Sequence, residues 1–162
     1  MFVMQADNSV IRQTSVEDVL SGKVRAPFTN RSAWASIQEE CSDLRRTKAH
    51  LRQGTRPSKK LTNIRDIKRY LQVASIAKDG LLVVKRSVPL AQEKECVIVP
   101  RVAIDGLLTA LHLQLQHPSE HQLKAVACRY IYALDLPRAV ERATSGCCIC
   151  ATLKQHHHVL VE

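Results

Sequence analysis

The sequence predicts a mainly α-helical fold with a small β-hairpin. Apolar residues recur every three or four positions in residues 32–53 and 101–115, which is the spacing of amphipathic helices. Between these segments lie two short runs rich in valine and isoleucine, which are typical of strands. The chain has 162 residues, of which 45% are hydrophobic and 4% aromatic. It can therefore bury one mostly aliphatic core of ordinary size, or two small ones.

Residues 1–60 are predicted to form a weakly patterned lead with one basic amphipathic helix. Glycine, proline and asparagine interrupt any regular pattern in residues 1–31. We expect the helix to span about residues 32–53 and to end at Gly54. The segment "GTRPSKK" that follows is a turn-rich basic linker, in which Pro57 excludes helix continuity.

Residues 61–100 are expected to form a short helix plus a β-hairpin extension. Asn63 can cap a helix that runs through Leu71. The runs "DGLLVVKRSVPL" and "KECVIVP" then predict two strands of a small antiparallel sheet. A hairpin of this size is marginal alone in water, so we expect it to pack on the helix that follows.

Three helices are expected in residues 101–154, followed by a tail over residues 155–162. The first begins at Pro100 or Arg101, ends before Pro118, and carries an apolar stripe formed by Ile104, Leu107, Leu108, Leu111 and Leu115. The second begins at Ser119, where the spacing of a capping box occurs, and buries Leu123, Val126, Ala127 and Tyr130. The third begins near Pro137 and is capped by Gly146.

The charge of the chain indicates a polyanionic partner, most often a nucleic acid. The formal charge is +9, and between Arg45 and Arg69 ten Lys or Arg residues stand against the single acid Asp66. A solvated basic surface beside a linker is the alternative interpretation. The candidate nucleic-acid-binding residues are Arg45, Arg46, Lys48, Arg52, Arg56, Lys59, Lys60, Lys68 and Arg69.

The six cysteines favour metal binding over disulfides. The N-terminus "MFVMQADNSV" lacks the features of a signal peptide, and no apolar run is long enough for a transmembrane helix. We therefore expect an intracellular protein with no membrane partner, in which thiols stay reduced.

Cys147 and Cys150 form a C-x-x-C pair just past a predicted helix end, a spacing typical of a tetrahedral metal site. The nearest cluster of possible further ligands is His112, His117 and His121. Two neutral imidazoles and two thiolates around Zn²⁺ carry no net charge, so the site can be buried at low cost. The spacing leaves open whether His112 and His117 or His117 and His121 are the ligands. Cys147 as an enzyme nucleophile is the other alternative, but it needs a general base beside a cysteine of depressed pKa.

Several short motifs follow one another between residues 78 and 154. They are "DGLLVV", "IVP" at 98–100, "LLTALH" at 107–112, "HPS" at 117–119, "YIYALD" at 130–135, and a closing Cys147, Cys150 and Lys154. In this order they resemble the N-terminal zinc-binding (HHCC) domain of integrases from LTR retrotransposons and retroviruses, of the BEL/Pao or Ty3 type. Ser119 stands where the family pattern has glycine, and His121 adds a rival ligand.

The resemblance implies that His112, His117, Cys147 and Cys150 bind Zn²⁺, with His121 as an alternative first ligand. It also implies a three-helix zinc-binding bundle (HHCC), preceded by a short antiparallel sheet and a basic helical lead. The implied role is structural support of DNA-end binding, largely through backbone contacts, and of multimerisation into a homo-oligomer in the nucleus and cytoplasm.

The resemblance implies no enzymatic activity for this chain. Strand transfer in the family needs an RNase H-like core with three acidic ligands, and only twelve residues follow Cys150. We therefore expect a fragment of a Pol polyprotein that lacks the catalytic core. The alternative is a domesticated module that keeps the zinc fold and binds other proteins through exposed apolar helix faces.

Overall fold

The computed structural model describes residues 31–58, 64–87 and 89–152, which form a mostly helical chain with a small four-stranded sheet. In chain order the elements are α1 (Arg31–Glu40), α2 (Ser42–Gln53), α3 (Ile64–Leu71), β1 (Ala74–Ile76), β2 (Leu82–Arg86), β3 (Lys94–Ile98), α4 (Arg101–Gln114), α5 (Glu120–Tyr130), β4 (Ile131–Tyr132) and α6 (Leu136–Ser145). Residues 148–152 are also helical. The mainly helical fold class is thus confirmed. Within these ranges, no helix is long and apolar enough to cross a membrane.

The predicted hairpin is present as β2 and β3, which pair antiparallel with Val83 opposite Val97. Two strands that the sequence analysis did not predict extend it to the order β1-β2-β3-β4. β1 pairs antiparallel with β2, and β4 pairs parallel with β3. The predicted two-stranded sheet was therefore incomplete. The added strands have three and two residues, too few to show an alternating pattern.

The sheet is covered on both faces, which explains why the buried parts of β2 and β3, "LVV" and "CVI", are continuous apolar runs. Val83 and Val97 point to one face, where they join a buried cluster with residues of α1, α4, α5 and α6. Leu82 and Ile98 point to the other face. There they form a smaller cluster with Val84 of β2, Leu44 of α2, Tyr70 of α3 and Leu134.

The single helix predicted over residues 32–53 is wrong, because the chain breaks at Cys41 into α1 and α2. Cys41 is extended, with φ −87° and ψ 117°, and its carbonyl accepts from the Arg45 N–H at 3.0 Å. The break has a physical reason. Trp34 of α1 lies in the core on one face of the sheet, and Leu44 of α2 lies in the core on the other. One continuous helix would not reach both.

Gln38 lies just before the break, and its side-chain amide reaches the ends of the two central strands, β2 and β3. Its Nε2 donates to the carbonyls of Leu82 and Ile98 at 2.9 and 2.8 Å, and its Oε1 accepts from the Leu82 N–H at 2.9 Å. The regular pairing of β2 with β3 stops at Val83 and Val97. The amide therefore takes the place of the next pair of backbone hydrogen bonds in a buried position.

Two predicted helix boundaries are confirmed. Gly54 ends α2 in the left-handed region with φ 65°, and Ser119 begins α5 with a capping box to Gln122, as expected. Two predicted core positions are wrong, since Leu115 and Tyr130 are 39% and 42% exposed. Each follows or ends a helix, where the helical spacing that predicted burial no longer applies.

The larger buried cluster crosses the predicted segment boundaries. It contains Trp34 from the lead, Val83 from the hairpin extension, and residues of α4, α5 and α6. The division into segments at residues 60, 100 and 154 stays a prediction. The predicted lead over residues 1–30, the cap Asn63 and the tail over residues 155–162 lie outside the described residues.

Candidate metal centre

His112 and His117 are brought together by the way α4 ends. The His117 N–H donates to the His112 carbonyl at 2.9 Å, and the Gln116 N–H donates to the Leu113 carbonyl at 3.1 Å. These two hydrogen bonds define a Schellman motif. In this motif the first and last residues lie side by side, and here both are histidines. Gln116 and His117 are left-handed, with φ of 60° and 59°.

Cys147 and Cys150 follow the end of α6, which lies beside α4. Gly146 ends α6, and a β-carbon at this position would meet the Arg142 carbonyl oxygen at 2.9 Å, so the tight turn requires glycine. The Cys147 carbonyl accepts from the Ala151 N–H at 3.0 Å, which starts the helical residues 148–152. Cys150 thus lies one turn into this helix, on the side of Cys147.

The four side chains converge on one point. The His112 Nε2 and His117 Nδ1 atoms are 3.2 Å apart. The Cys147 Sγ is 3.3 Å from His117 Nδ1, and the Cys150 Sγ is 3.3 Å from His112 Nε2 and 3.6 Å from His117 Nδ1. All four atoms lie within 4.8 Å of one another. The two rings are nearly perpendicular, at 86°, so they meet at their nitrogen atoms and do not stack.

These distances fit a tetrahedral ion. Metal bonds of about 2.05 Å to nitrogen and about 2.3 Å to sulfur give tetrahedral edges of about 3.3 Å between nitrogens and about 3.6 Å between nitrogen and sulfur. Four of the six separations between the ligand atoms, at 3.2 to 3.6 Å, match these edges, and the other two lie within 4.8 Å. The four residues can therefore hold a metal ion. Their soft thiolates and imidazoles suit Zn²⁺, Fe²⁺ or Co²⁺ better than Mg²⁺ or Ca²⁺.

His112 has the properties of a neutral ligand. It is 1% exposed, and burial, together with the neighbouring His117, lowers its pKa from the ordinary value. Among the described residues, its Nδ1 atom has no hydrogen-bond partner. Since Nε2 faces the other three donors, the proton of the neutral ring belongs on Nδ1. The metal-binding nitrogen is then unprotonated without any further change.

The remaining histidine and cysteine candidates lie outside the group. His121, the alternative ligand, is exposed on α5 and is not among the four residues that converge. Cys148 lies between two members of the group in the sequence, yet it is exposed. Cys128 is partly buried against the larger core cluster.

The basic candidates are distributed over two helices. Arg45, Arg46 and Arg52 are exposed on α2, and Lys48 is half-buried. Arg56 and Lys68 are also exposed, whereas Lys59 and Lys60 lie outside the described residues. Arg69 is half-buried, and its guanidinium donates to the Asp135 carboxylate at 3.1 Å, so this candidate already has a partner within the fold.

Sequence reasoning did not identify Gln116 as a residue that positions the site. Its left-handed conformation is usually supplied by glycine, which would have marked the turn in the sequence. The only available signal was Pro118, which excludes a longer helix.

Comparisons of the chain with protein-family models, with curated proteins and with solved structures gave no match.

Proposed function

We propose that this chain is a structural zinc-binding module of the integrase type, which supports DNA binding and assembly and has no catalytic centre of its own. The observation that carries the proposal is the convergence of His112, His117, Cys147 and Cys150 within 4.8 Å. Their order along the chain, a histidine pair followed by a C-x-x-C pair, is that of the HHCC motif.

A structural role for the ion follows from the number of protein ligands. Four donors complete a tetrahedral shell, which leaves no position for a substrate or an activated water. When bound, Zn²⁺ would supply a cross-link between the C-terminal ends of α4 and α6. Apparent binding energies of about 10–16 kcal/mol are typical of structural zinc. Such a cross-link would fix the three-helix arrangement of α4, α5 and α6.

The DNA-binding part of the proposal is supported by the charge of the chain and by α2. Arg45 and Arg52 lie one above the other, two turns apart, and Arg46 is exposed beside them. Long cationic side chains on one helix face can contact successive phosphates without reading bases. Binding of this kind is salt-dependent and largely independent of sequence.

The metal site is tested by zinc content. We expect about one zinc per chain by elemental analysis, since one four-donor group forms one site. His112→Ala and His117→Ala should lose the metal, while the matched control His121→Ala should keep it. Circular dichroism with and without chelator should show helix loss in the wild type. If the wild-type chain contained no zinc and its helix content did not change when chelator was added, the proposal would be refuted.

DNA binding is tested separately with a variant of α2. Arg45→Gln, Arg46→Gln and Arg52→Gln combined should weaken binding to a DNA duplex and lower its salt dependence by up to about three units of slope. Zinc content should not change. If this variant bound DNA as the wild type does, α2 would not be the DNA contact.

One specific observation favours a second function, that of a domesticated protein-interaction module. Val102 and Ile149 are 77% and 56% exposed, and Ile149 lines a cavity of about 310 Å³ beside the metal site. Exposed apolar side chains of this kind are typical of protein contacts. Zinc-dependent folding without salt-sensitive DNA binding would favour this second function over the first.

A further inference from the structure

Basic residues lie near Tyr130 at the end of the sheet where β2 and β3 are connected. Arg86 and Lys94 are directly opposite each other on these strands and so share one face. The Lys94 Nζ atom lies 5.0 Å from the centre of the Tyr130 ring. The Arg86 Nη1 atom donates to the Cys128 carbonyl at 2.8 Å, which brings it to the end of α5 beside Arg129. We call Arg86, Lys94, Arg129 and Tyr130 the sheet-end cluster.

The acidic residues nearby do not neutralise the sheet-end cluster. Glu95 follows Lys94 and therefore points to the opposite face of the sheet. Its carboxylate lies 3.5 Å from the Arg31 guanidinium, which gives it a partner on that face. Glu93 is exposed in the connection between the strands. Among the described residues of β2, β3 and their connection, Glu93 is thus the one acid that can offset the charge of the sheet-end cluster.

Tyr130 is partly exposed. The residue is 42% exposed with Lys94 in place, whereas Tyr70, another tyrosine of the fold, is 2% exposed in the core. The helix α5 ends at Tyr130, and Ile131 continues as extended chain with φ −128° and ψ 160°. Ile131 itself is buried in the larger core cluster. The change from helix to strand therefore buries Ile131 and leaves the aromatic ring at the surface.

We propose that the sheet-end cluster binds single-stranded nucleic acid, with a base stacked on Tyr130 and the adjacent phosphates on Arg86, Lys94 and Arg129. An aromatic ring with cations nearby is the combination that binds unpaired strands, because every base offers a flat face and every nucleotide a phosphate. A duplex does not offer that face, since its bases are stacked on one another. This surface is separate from α2 and uses no metal ligand.

The proposal is tested by fluorescence anisotropy with the full chain. The probes are labelled oligonucleotides of about 15 nucleotides, within the usual site size, as oligo-dT, oligo-U and a mixed-sequence duplex of the same length. Each is titrated at about 50 and 200 mM salt. The variants are Tyr130→Leu, Tyr130→Phe and Lys94→Gln. Arg138→Gln, which removes an exposed cation on α6, is the matched control. Circular dichroism confirms that each variant is folded.

We expect Tyr130→Leu to weaken single-strand binding about tenfold and Tyr130→Phe to keep it within about twofold, because stacking needs the ring and not the hydroxyl. Lys94→Gln should lower the salt slope by about one unit, as the loss of one phosphate contact predicts. Arg138→Gln should have little effect. The comparison of oligo-dT with oligo-U identifies which nucleic acid binds more tightly.

Equal single-strand binding by Tyr130→Leu and Arg138→Gln would overturn the proposal, and so would loss of duplex binding to the same extent as single-strand binding in Tyr130→Leu. This test is independent of the proposed function. Zinc content and the α2 variant test the zinc-binding module, and neither involves a residue of the sheet-end cluster.

Discussion

His117 closes the end of α4 by donating its backbone N–H to the carbonyl of His112 at 2.9 Å, and the same two residues present their ring nitrogens to each other at 3.2 Å. A Schellman motif usually joins an apolar pair at the ends of its turn. In this chain the pair is replaced by two histidines of the group that could hold a metal ion. The backbone motif thus brings together two rings that are five residues apart in the sequence, before any ion binds.

Gln116→Gly should stabilise the fold by about 1 kcal/mol. Gln116 has φ 60°, a conformation that costs a residue with a β-carbon about 1 kcal/mol or more and that glycine adopts freely. Urea unfolding of the zinc-loaded chain measures the difference, and zinc content should stay the same.

Gly54→Ala is the reverse control for Gln116→Gly. Gly54 has φ 65° at the end of α2, and a β-carbon there would meet no atom within 4 Å. The substitution therefore measures the cost of the left-handed conformation alone, without a steric clash. We expect a loss of about 1 kcal/mol. A Gln116→Gly chain less stable than wild type would show that the turn does not depend on the left-handed residue.

Cys148→Ser should keep the metal, whereas Cys147→Ser should lose it. The two residues are adjacent, but Cys147 Sγ is 3.3 Å from His117 Nδ1 and Cys148 is exposed outside the group. Replacing a thiolate by a hydroxyl removes a strong ligand for zinc. Cobalt substitution provides the measurement, since the absorption of tetrahedral cobalt reports thiolate ligands. Equal effects of the two substitutions would contradict the ligand set.

Gln38→Leu should destabilise the fold by about 3 kcal/mol. The substitution removes hydrogen bonds to the Leu82 N–H, the Leu82 carbonyl and the Ile98 carbonyl, all in a position where Gln38 is 6% exposed. Each buried polar group left without a partner costs about 1–3 kcal/mol. Thermal and urea unfolding measure the loss.

Gln53→Leu is the matched control for Gln38→Leu, because Gln53 is exposed at the end of α2. Its effect should stay within about 0.5 kcal/mol. If both substitutions changed the unfolding free energy equally, the amide of Gln38 would not contribute to the sheet.

Asp135→Asn should remove part of the stability near neutral pH and none at very low pH. The Arg69 guanidinium, and next the Arg101 guanidinium, lower the pKa of Asp135 from 3.8 to about 2. A carboxyl with a lowered pKa in the folded state stabilises the fold above its unfolded pKa, and this contribution is lost as the pH falls toward 2. The pair is partly exposed, so the effect at pH 7 should be below about 1 kcal/mol.

Asparagine is the suitable replacement at position 135, because Asp135 has φ 56° and asparagine tolerates this conformation. Unfolding free energies of the wild type and Asp135→Asn at several pH values should converge between pH 4 and about 2. Asp105→Asn, which breaks the more exposed ion pair with Arg142, serves as the comparison and should have a smaller effect. A difference that grew at low pH would contradict the expected sign.

The sequence alone identified the candidate members of the metal group, because the chemistry of a site depends on residue types and their spacing. The C-x-x-C pair and the nearby histidines are visible without a structure. The helices α4 and α6 were also predictable, since long periodic segments carry a strong signal. Local capping signals correctly placed the end of α2 at Gly54 and the start of α5 at Ser119.

The tertiary structure alone decided between the histidines, because His112 and His121 are equally plausible by spacing and only the Schellman turn brings one of them to Cys150. It also decided the break at Cys41, the short strands β1 and β4, and the exposure of Tyr130. Each of these depends on which face of the sheet a residue covers. That choice is set by contacts between segments far apart in the chain, so no local pattern contains it.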